Sequence, residues 1–279
     1  PTPVQQVTQE EISSGGDRLI VAPTGSGKTM AAMLPLLDCS IKQGWQGMSI
    51  LYITPLRALN RDVDRRLEEI TNAVGMRLGL RHGDTTQSER NKQVRNPPNV
   101  MITTPETFQI MFTGSKLREL LRSVQAVVID ELHDMADGER GWQLSVGISR
   151  LESFIGRKVQ KIGLSATVGN PEQVAKWLSK DAESIVAIAP RSTELSVDAI
   201  IQMPEDEVGS LELAISPRAH ATLRGLADII SKNNPCLVFV NSRNSAETVS
   251  QRLTAIAPDL SIGVHHGSLA KETRTQMEN

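Results

Sequence analysis

The chain has 279 residues, 39% apolar and 22% charged, with a net charge of −2 and a pI near 6.3. These values fit a folded soluble protein of one large or two ordinary domains and exclude collagen-like, mucin-like and disordered chains. No apolar run approaches the roughly 20 residues of a membrane span, and aromatics at 3% are too sparse for extensive stacking on bases.

In chain order, the opening Pro1-Thr2-Pro3-Val4-Gln5-Gln6 lacks the charged head and apolar run of a signal peptide, and it lacks Met. This reads as a piece of a longer, cytoplasmic protein. Cys39 and Cys236 stand alone, which suits a reducing compartment. Short β-branched runs predict strands at 18–22, 49–54, 77–81, 100–103, 126–130, 160–165 and 185–188. Helices are predicted between them at 28–41, 57–74, 88–95, 142–154 and 171–178. In 57–74, Val63, Leu67, Ile70 and Val74 recur at helical spacing and predict a buried face. The acids and arginines around them predict a solvated, ion-paired face. The apolar runs at 50–53 and 127–129 do not alternate with polar residues, so they read as strands covered on both faces. Repeated β-α-β order predicts an α/β fold: a parallel sheet sandwiched by helices, with its ligand site beyond the carboxyl ends of the strands.

The pattern changes near residue 190. A strand-like run at 195–201 and the acidic Pro204-Glu205-Asp206-Glu207 read as a linker. Helices at 219–231 and 246–257 then alternate with strands at 237–240 and 262–265, and another helix starts at Lys271. The expected domains are residues 1–190, a linker and first strand over 191–217, and the first half of a second α/β domain over 218–279.

Ala22-Pro23-Thr24-Gly25-Ser26-Gly27-Lys28-Thr29 follows a strand and opens a helix. It fits the P-loop pattern, with Ala22 in the first glycine position. Thr24, Gly25, Ser26 and Gly27 make a turn whose amides cradle phosphate oxygens. Lys28 adds a charge for the β and γ phosphates, and Thr29 a hydroxyl for Mg²⁺. Downstream, Val127-Val128-Ile129-Asp130-Glu131 ends a strand in two acids. Asp130 is expected to hold Mg²⁺ and Glu131 to polarise the attacking water. The plainer alternative is that Asp130 caps the next helix and Glu131 is a first-turn acid.

With Asp130-Glu131-Leu132-His133 in place, the chain resembles a superfamily 2 helicase of the DExH type. Thr2-Pro3-Val4-Gln5 resembles the upstream glutamine motif, which implies that Gln5 reads the adenine of ATP. Thr54-Pro55-Leu56-Arg57-Ala58-Leu59 is similar to motif Ia, and Arg81-His82-Gly83-Asp84 to the glycine motif after it. Thr103-Thr104-Pro105-Glu106 resembles motif Ib, and Ser165-Ala166-Thr167 matches motif III. Val238-Phe239-Val240-Asn241-Ser242-Arg243 resembles motif IV, and His265-His266-Gly267-Ser268 the element after it. The wording at 53–62, 81–90, 96–107 and 164–178 is similar to the Lhr group and its archaeal relatives.

The resemblance implies two RecA-like domains with ATP and Mg²⁺ between them and single-stranded DNA or a DNA–RNA hybrid across the top, in a prokaryotic cytoplasm. It implies nucleic-acid contacts by Thr54, Pro55, Arg57, His82, Gly83, Thr103, Thr104, Pro105, Glu106, Asn241, Ser242, Arg243, His266 and Gly267. It also implies coupling through His133, Ser165 and Thr167. Motifs V and VI, with an arginine finger, are expected beyond Asn279, so this stretch alone is expected to hydrolyse ATP slowly. Thr104 as N-cap and Pro105 at the first helical position equally explain their own composition, and both roles can coexist. A nucleotide-gated clamp that does not unwind, and a P-loop ATPase unrelated to nucleic acid, remain as alternatives.

Overall fold

A computed structural model of the chain describes residues 1–55, 60–136, 138–166, 168–187, 207–233 and 235–266. The chain forms two compact units, Pro1–Ser192 and Thr193–Asn279. The first runs α1 (Pro3–Ser13), β1 (Arg18–Val21), α2 (Lys28–Lys42), β2 (Ile50–Ile53), α3 (Asn60–Ala73), β3 (Leu78–Arg81), α4 (Gln87–Arg95) and β4 (Val100–Thr103). It continues through α5 (Pro105–Met111), α6 (Ser115–Leu120), β5 (Ala126–Ile129), α7 (Leu132–Met135), α8 (Glu139–Ile155), β6 (Gln160–Ser165), α9 (Pro171–Leu178) and β7 (Glu183–Val186).

The seven strands form one sheet in the order β3-β4-β2-β5-β6-β1-β7, and every pairing is parallel. Period-two alternation sends neighbours to opposite faces. Leu51, Ile53, Val127 and Ile129 enter one core, with Phe108, Met111, Leu144 and Leu151. Ile50, Tyr52, Ala126 and Val128 enter the other, with Ile12, Ala32, Leu36 and Leu67. This two-sided burial is why these strands read as continuous apolar runs.

The structure corrects several predicted bounds. The helix predicted from residue 142 begins at Glu139, and Trp142 is 67% exposed. Val74 lies past the end of α3 at Ala73 and is 41% exposed, because Gly75 turns the chain away at φ 73°. Leu67 of the same predicted face is fully buried. The fourth helix starts at Gln87, where Thr86 and Glu89 cap each other. Four helices of this unit are absent from the predicted ranges: α1, α5, α6 and α7. In α1, Val4, Thr8 and Ile12 form a buried stripe at four-residue spacing.

The second unit contains α10 (Glu207–Glu212), α11 (Pro217–Lys232) and α12 (Arg243–Ile256) among its described residues. Leu223 and Ala227 of α11 pack with Leu253 of α12. Residues 237–240 and 262–265, predicted as strands, pair with no strand among the described residues, and Leu237 and Phe239 are 84% and 90% exposed. An apolar run supplies a strand's pattern but not its neighbour, and a ladder needs both. The segments predicted at 195–201 and from Lys271 lie outside the described residues.

Candidate active site

The strand order places the predicted motifs along one edge of the sheet. From β3 to β1, the carboxyl ends lead into His82, Thr104, Thr54, Asp130, Ala166 and Ala22. The nucleotide motifs therefore share the β5-β6-β1 half, and the predicted strand contacts share the β3-β4-β2 half. β6 separates β1 from β5, so the loop after β6 lies between the P-loop and the two acids.

Gly25 and Gly27 take φ of 75° and 92°, which glycine adopts without strain. Gly27 is the N-cap of α2, so the amides of the loop and the helix N-terminus face one cradle. A Cβ on Gly27 would stand 2.9 Å from Gln5 Nε2, which places the α1 glutamine against the loop. Gln5 Oε1 accepts the backbone N–H of Thr2 at 3.0 Å. Lys28 is 8% exposed, and its Nζ donates to Ala22 O at 2.7 Å and Pro23 O at 3.0 Å. Burial lowers its pKa, and the charges of Glu131 and Asp130 partly restore it. Lys28 and both acids thus act on one another across the cradle. The hydroxyl of Ser26 is buried there with no partner among the described residues, a donor that a phosphate oxygen would satisfy.

Asp130 leaves β5 with both oxygens engaged. Oδ1 accepts the amide of Glu131 at 3.0 Å, and Oδ2 accepts the Tyr52 hydroxyl at 2.6 Å. Burial pushes its carboxyl above the usual range, opposed by Tyr52, the Glu131 amide, Lys28 and His133. Burial likewise raises Glu131, reinforced by the charge of Asp130 beside it. Glu131 is also a non-glycine residue at φ 48°. A strained, desolvated pair of acids facing a lysine is an arrangement suited to catalysis rather than to stability.

Ser165 Oγ lies 3.2 Å from His133 Nδ1, and the amide of Ala166 donates to the same nitrogen at 3.4 Å. With Nδ1 accepting, the ring proton of neutral His133 sits on Nε2. Thr167 lies outside the described residues.

On the other half of the edge, Thr54, Thr103 and Thr104 are all nearly or fully buried. Thr104 Oγ1 caps α5 by accepting the amide of Thr107 at 3.3 Å, and Pro105 takes the first helical position. Thr103 Oγ1 is buried with no partner among the described residues. Glu106 is exposed and pairs with Arg140 at 2.8 Å. The Glu106 carboxyl is pushed up by its partial burial, but hydrogen bonds from its own backbone amide and Arg140 hold it lower overall. Arg140 also donates to Pro55 O at 3.3 Å, so it ties the loops after β2 and β4 together. Arg90 donates to the carbonyls of His82, Gly83 and Thr85 and pins the glycine loop. His82 is half-buried and Gly83 exposed; Arg57 lies outside the described residues.

In the second unit, Asn241, Ser242 and Arg243 are exposed at the start of α12, where Ser242 caps the helix. His266 Nε2 lies 2.8 Å from Glu247 Oε1, and Gly267 lies outside the described residues. Tyr52, Arg90 and Arg140 escaped sequence reasoning. An aromatic in an apolar strand reads as core, and a single arginine on a helix carries no spacing signal.

Residues 2–174 match the DEAD/DEAH box helicase family. The chain is 35% identical to the Lhr helicase of Mycolicibacterium smegmatis, covering 100% of itself and 21% of that protein. It is 34% identical to the ATP-dependent helicase Lhr-Core of Methanothermobacter thermautotrophicus, over 99% of itself and 34% of the relative. The chain thus spans a fifth to a third of the length of these relatives. The solved structure of Mycobacterium smegmatis helicase Lhr bound to ssDNA and AMP-PNP superposes at a TM-score of 0.80, with 34% identity over 100% of this chain and 38% of that one.

Proposed function

We propose, from the premise that the chain belongs to the DEAD/DEAH box helicase family, that it is the motor core of an ATP-dependent nucleic-acid helicase or translocase. The observation that carries this reading is the convergence of Lys28, Asp130 and Glu131 on one cradle at the sheet edge, with each charge acting on the others. The similarity to an Lhr helicase bound to ssDNA and AMP-PNP supports ATP as the nucleotide and a single DNA strand as the track; a DNA–RNA hybrid is the second track we propose.

In this reading the loop amides and Lys28 hold the phosphates, and Gln5 lies near enough to the loop to meet the adenine. Thr29 and Asp130 fit a magnesium ion, which when bound shields the charge of the transferring phosphoryl group. Glu131 orients the attacking water and accepts its proton. His133 and Ser165 connect this half of the edge to the half that grips the strand. Residues 1–190 form the first motor domain, 191–217 the linker, and 218–279 part of a second RecA-like domain. Bacterial and archaeal relatives support a prokaryotic cytoplasmic protein; no helix of the described residues is long and apolar enough to cross a membrane.

The test is the ATPase rate of the longer parent protein against single-stranded DNA, RNA and hybrids. Nucleic acid should stimulate hydrolysis. Lys28→Ala should lower the rate by about 10²-fold or more. Glu131→Gln should keep ATP affinity and lower kcat by about 10²-fold. Normal hydrolysis by a folded K28A protein would sink the P-loop assignment.

A further inference from the structure

Tyr52 sits in the middle of β2 with its ring fully buried among residues of α2 and the central strands. Its hydroxyl reaches one of the groups that the proposed function assigns to the cation, donating to Asp130 Oδ2 at 2.6 Å. A phenol has one proton to give, and the acceptor-only Asp130 carboxylate takes it.

We propose that Tyr52 is a positioning residue for the divalent-cation site: by donating to Asp130, it stops the rotation of the carboxylate and turns its remaining lone pairs toward the cation. The proposal rests on the reading of Thr29 and Asp130 as cation ligands. A carboxylate binds a cation best when its rotation is stopped. The Glu131 amide on Oδ1 and the Tyr52 hydroxyl on Oδ2 fix the Asp130 carboxylate at both oxygens. Outer partners of this kind typically set metal affinity by about 10- to 100-fold.

Tyr52→Phe removes only the hydroxyl. The expected result is that the Mg²⁺ concentration needed for half-maximal binding at fixed AMP-PNP rises about tenfold. Nucleotide affinity measured by calorimetry in EDTA should stay within about twofold, because the loop amides and Lys28 are untouched. A general loosening of the fold would lower both affinities together. Thr29→Ala is the control. If T29A raises the Mg²⁺ requirement and Y52F does not, the role of Tyr52 is overturned and the site reading stands. If neither variant changes it, the ligand assignment itself fails.

Should Y52F not fold, the native chain still decides the matter. Tyr52 is its single tyrosine, so 3-fluorotyrosine labelling places one fluorine reporter beside the site. Adding Mg²⁺ to the AMP-PNP-bound chain should shift that resonance. A resonance that responds to nucleotide in EDTA and does not move further with Mg²⁺ would overturn the proposal.

Discussion

Glu131 combines two local costs. Its backbone lies at φ 48°, where asparagine is tolerated better than a longer side chain. Its carboxylate is penalised by burial and by Asp130, which raises its carboxyl above the usual range. An acid raised in the folded state weakens the fold as pH climbs from the unfolded value through the folded one. Glu131→Asn removes both costs. It should stabilise the chain by about 1 kcal/mol at neutral pH in urea unfolding, while hydrolysis by the parent collapses. The electrostatic share of that gain should fade below the ordinary glutamate value of about 4.3, and the backbone share should persist. A destabilised variant would refute the strain at this position. The acids were legible in the sequence because their order after an apolar strand has a mechanism. Tyr52 was not, because its ring belongs to the core and only its last atom belongs to the site.

The start of α8 depends on close backbone approach. Gly141 lies in its first turn, and a Cβ there would stand 2.0 Å from Met135 O and 2.7 Å from Met135 C. Met135 ends α7, the short helix that carries His133 beside the acids. Backbone on backbone cannot yield without moving one element, so Gly141→Ala should destabilise the fold by about 2 kcal/mol. Gly147 in the same helix is the comparison. A Cβ there would first meet the end of the Gln109 side chain at 2.2 Å, which can swing away. Thermal unfolding should therefore rank G141A below G147A; equal melting temperatures would mean that the α7–α8 turn gives easily. Sequence periodicity started this helix at Trp142 because a large apolar residue reads as the first buried position. That ring is exposed, and the turn before it is set by a glycine contact that no spacing rule encodes. At residues 237–240 the apolar pattern of a strand has no paired neighbour among the described residues.

At the scale of the molecule, the two edges of the sheet divide labour. The carboxyl edge gathers strained and desolvated groups; the opposite edge gathers compensated charges. Near the start of β6, Lys161 is 5% exposed and pairs with Asp17 at 3.1 Å and Glu152 at 3.0 Å. Asp17 Oδ1 also accepts the Lys161 amide at 2.7 Å, which fastens the turn before β1 to β6. Burial pushes the Glu152 carboxyl up, but hydrogen bonds from Lys158 and Lys161 hold it below the usual range overall. A depressed carboxyl contributes stability above its unfolded value, and that contribution is lost as pH falls through the folded value. Lys161→Met keeps the length and removes the charge, leaving two acids facing an apolar end. It should cost about 3 kcal/mol at neutral pH. Protonating the acids releases wild type from the same dependence, so the stability gap between the two proteins should narrow as pH drops from about 7 to about 3. ATP binding, at the far edge, should be unchanged at neutral pH wherever the variant is fully folded. Urea unfolding across that pH range tests the point. A gap that stays constant with pH would mean that Lys161 contributes through the packing of its aliphatic stem rather than through its charge.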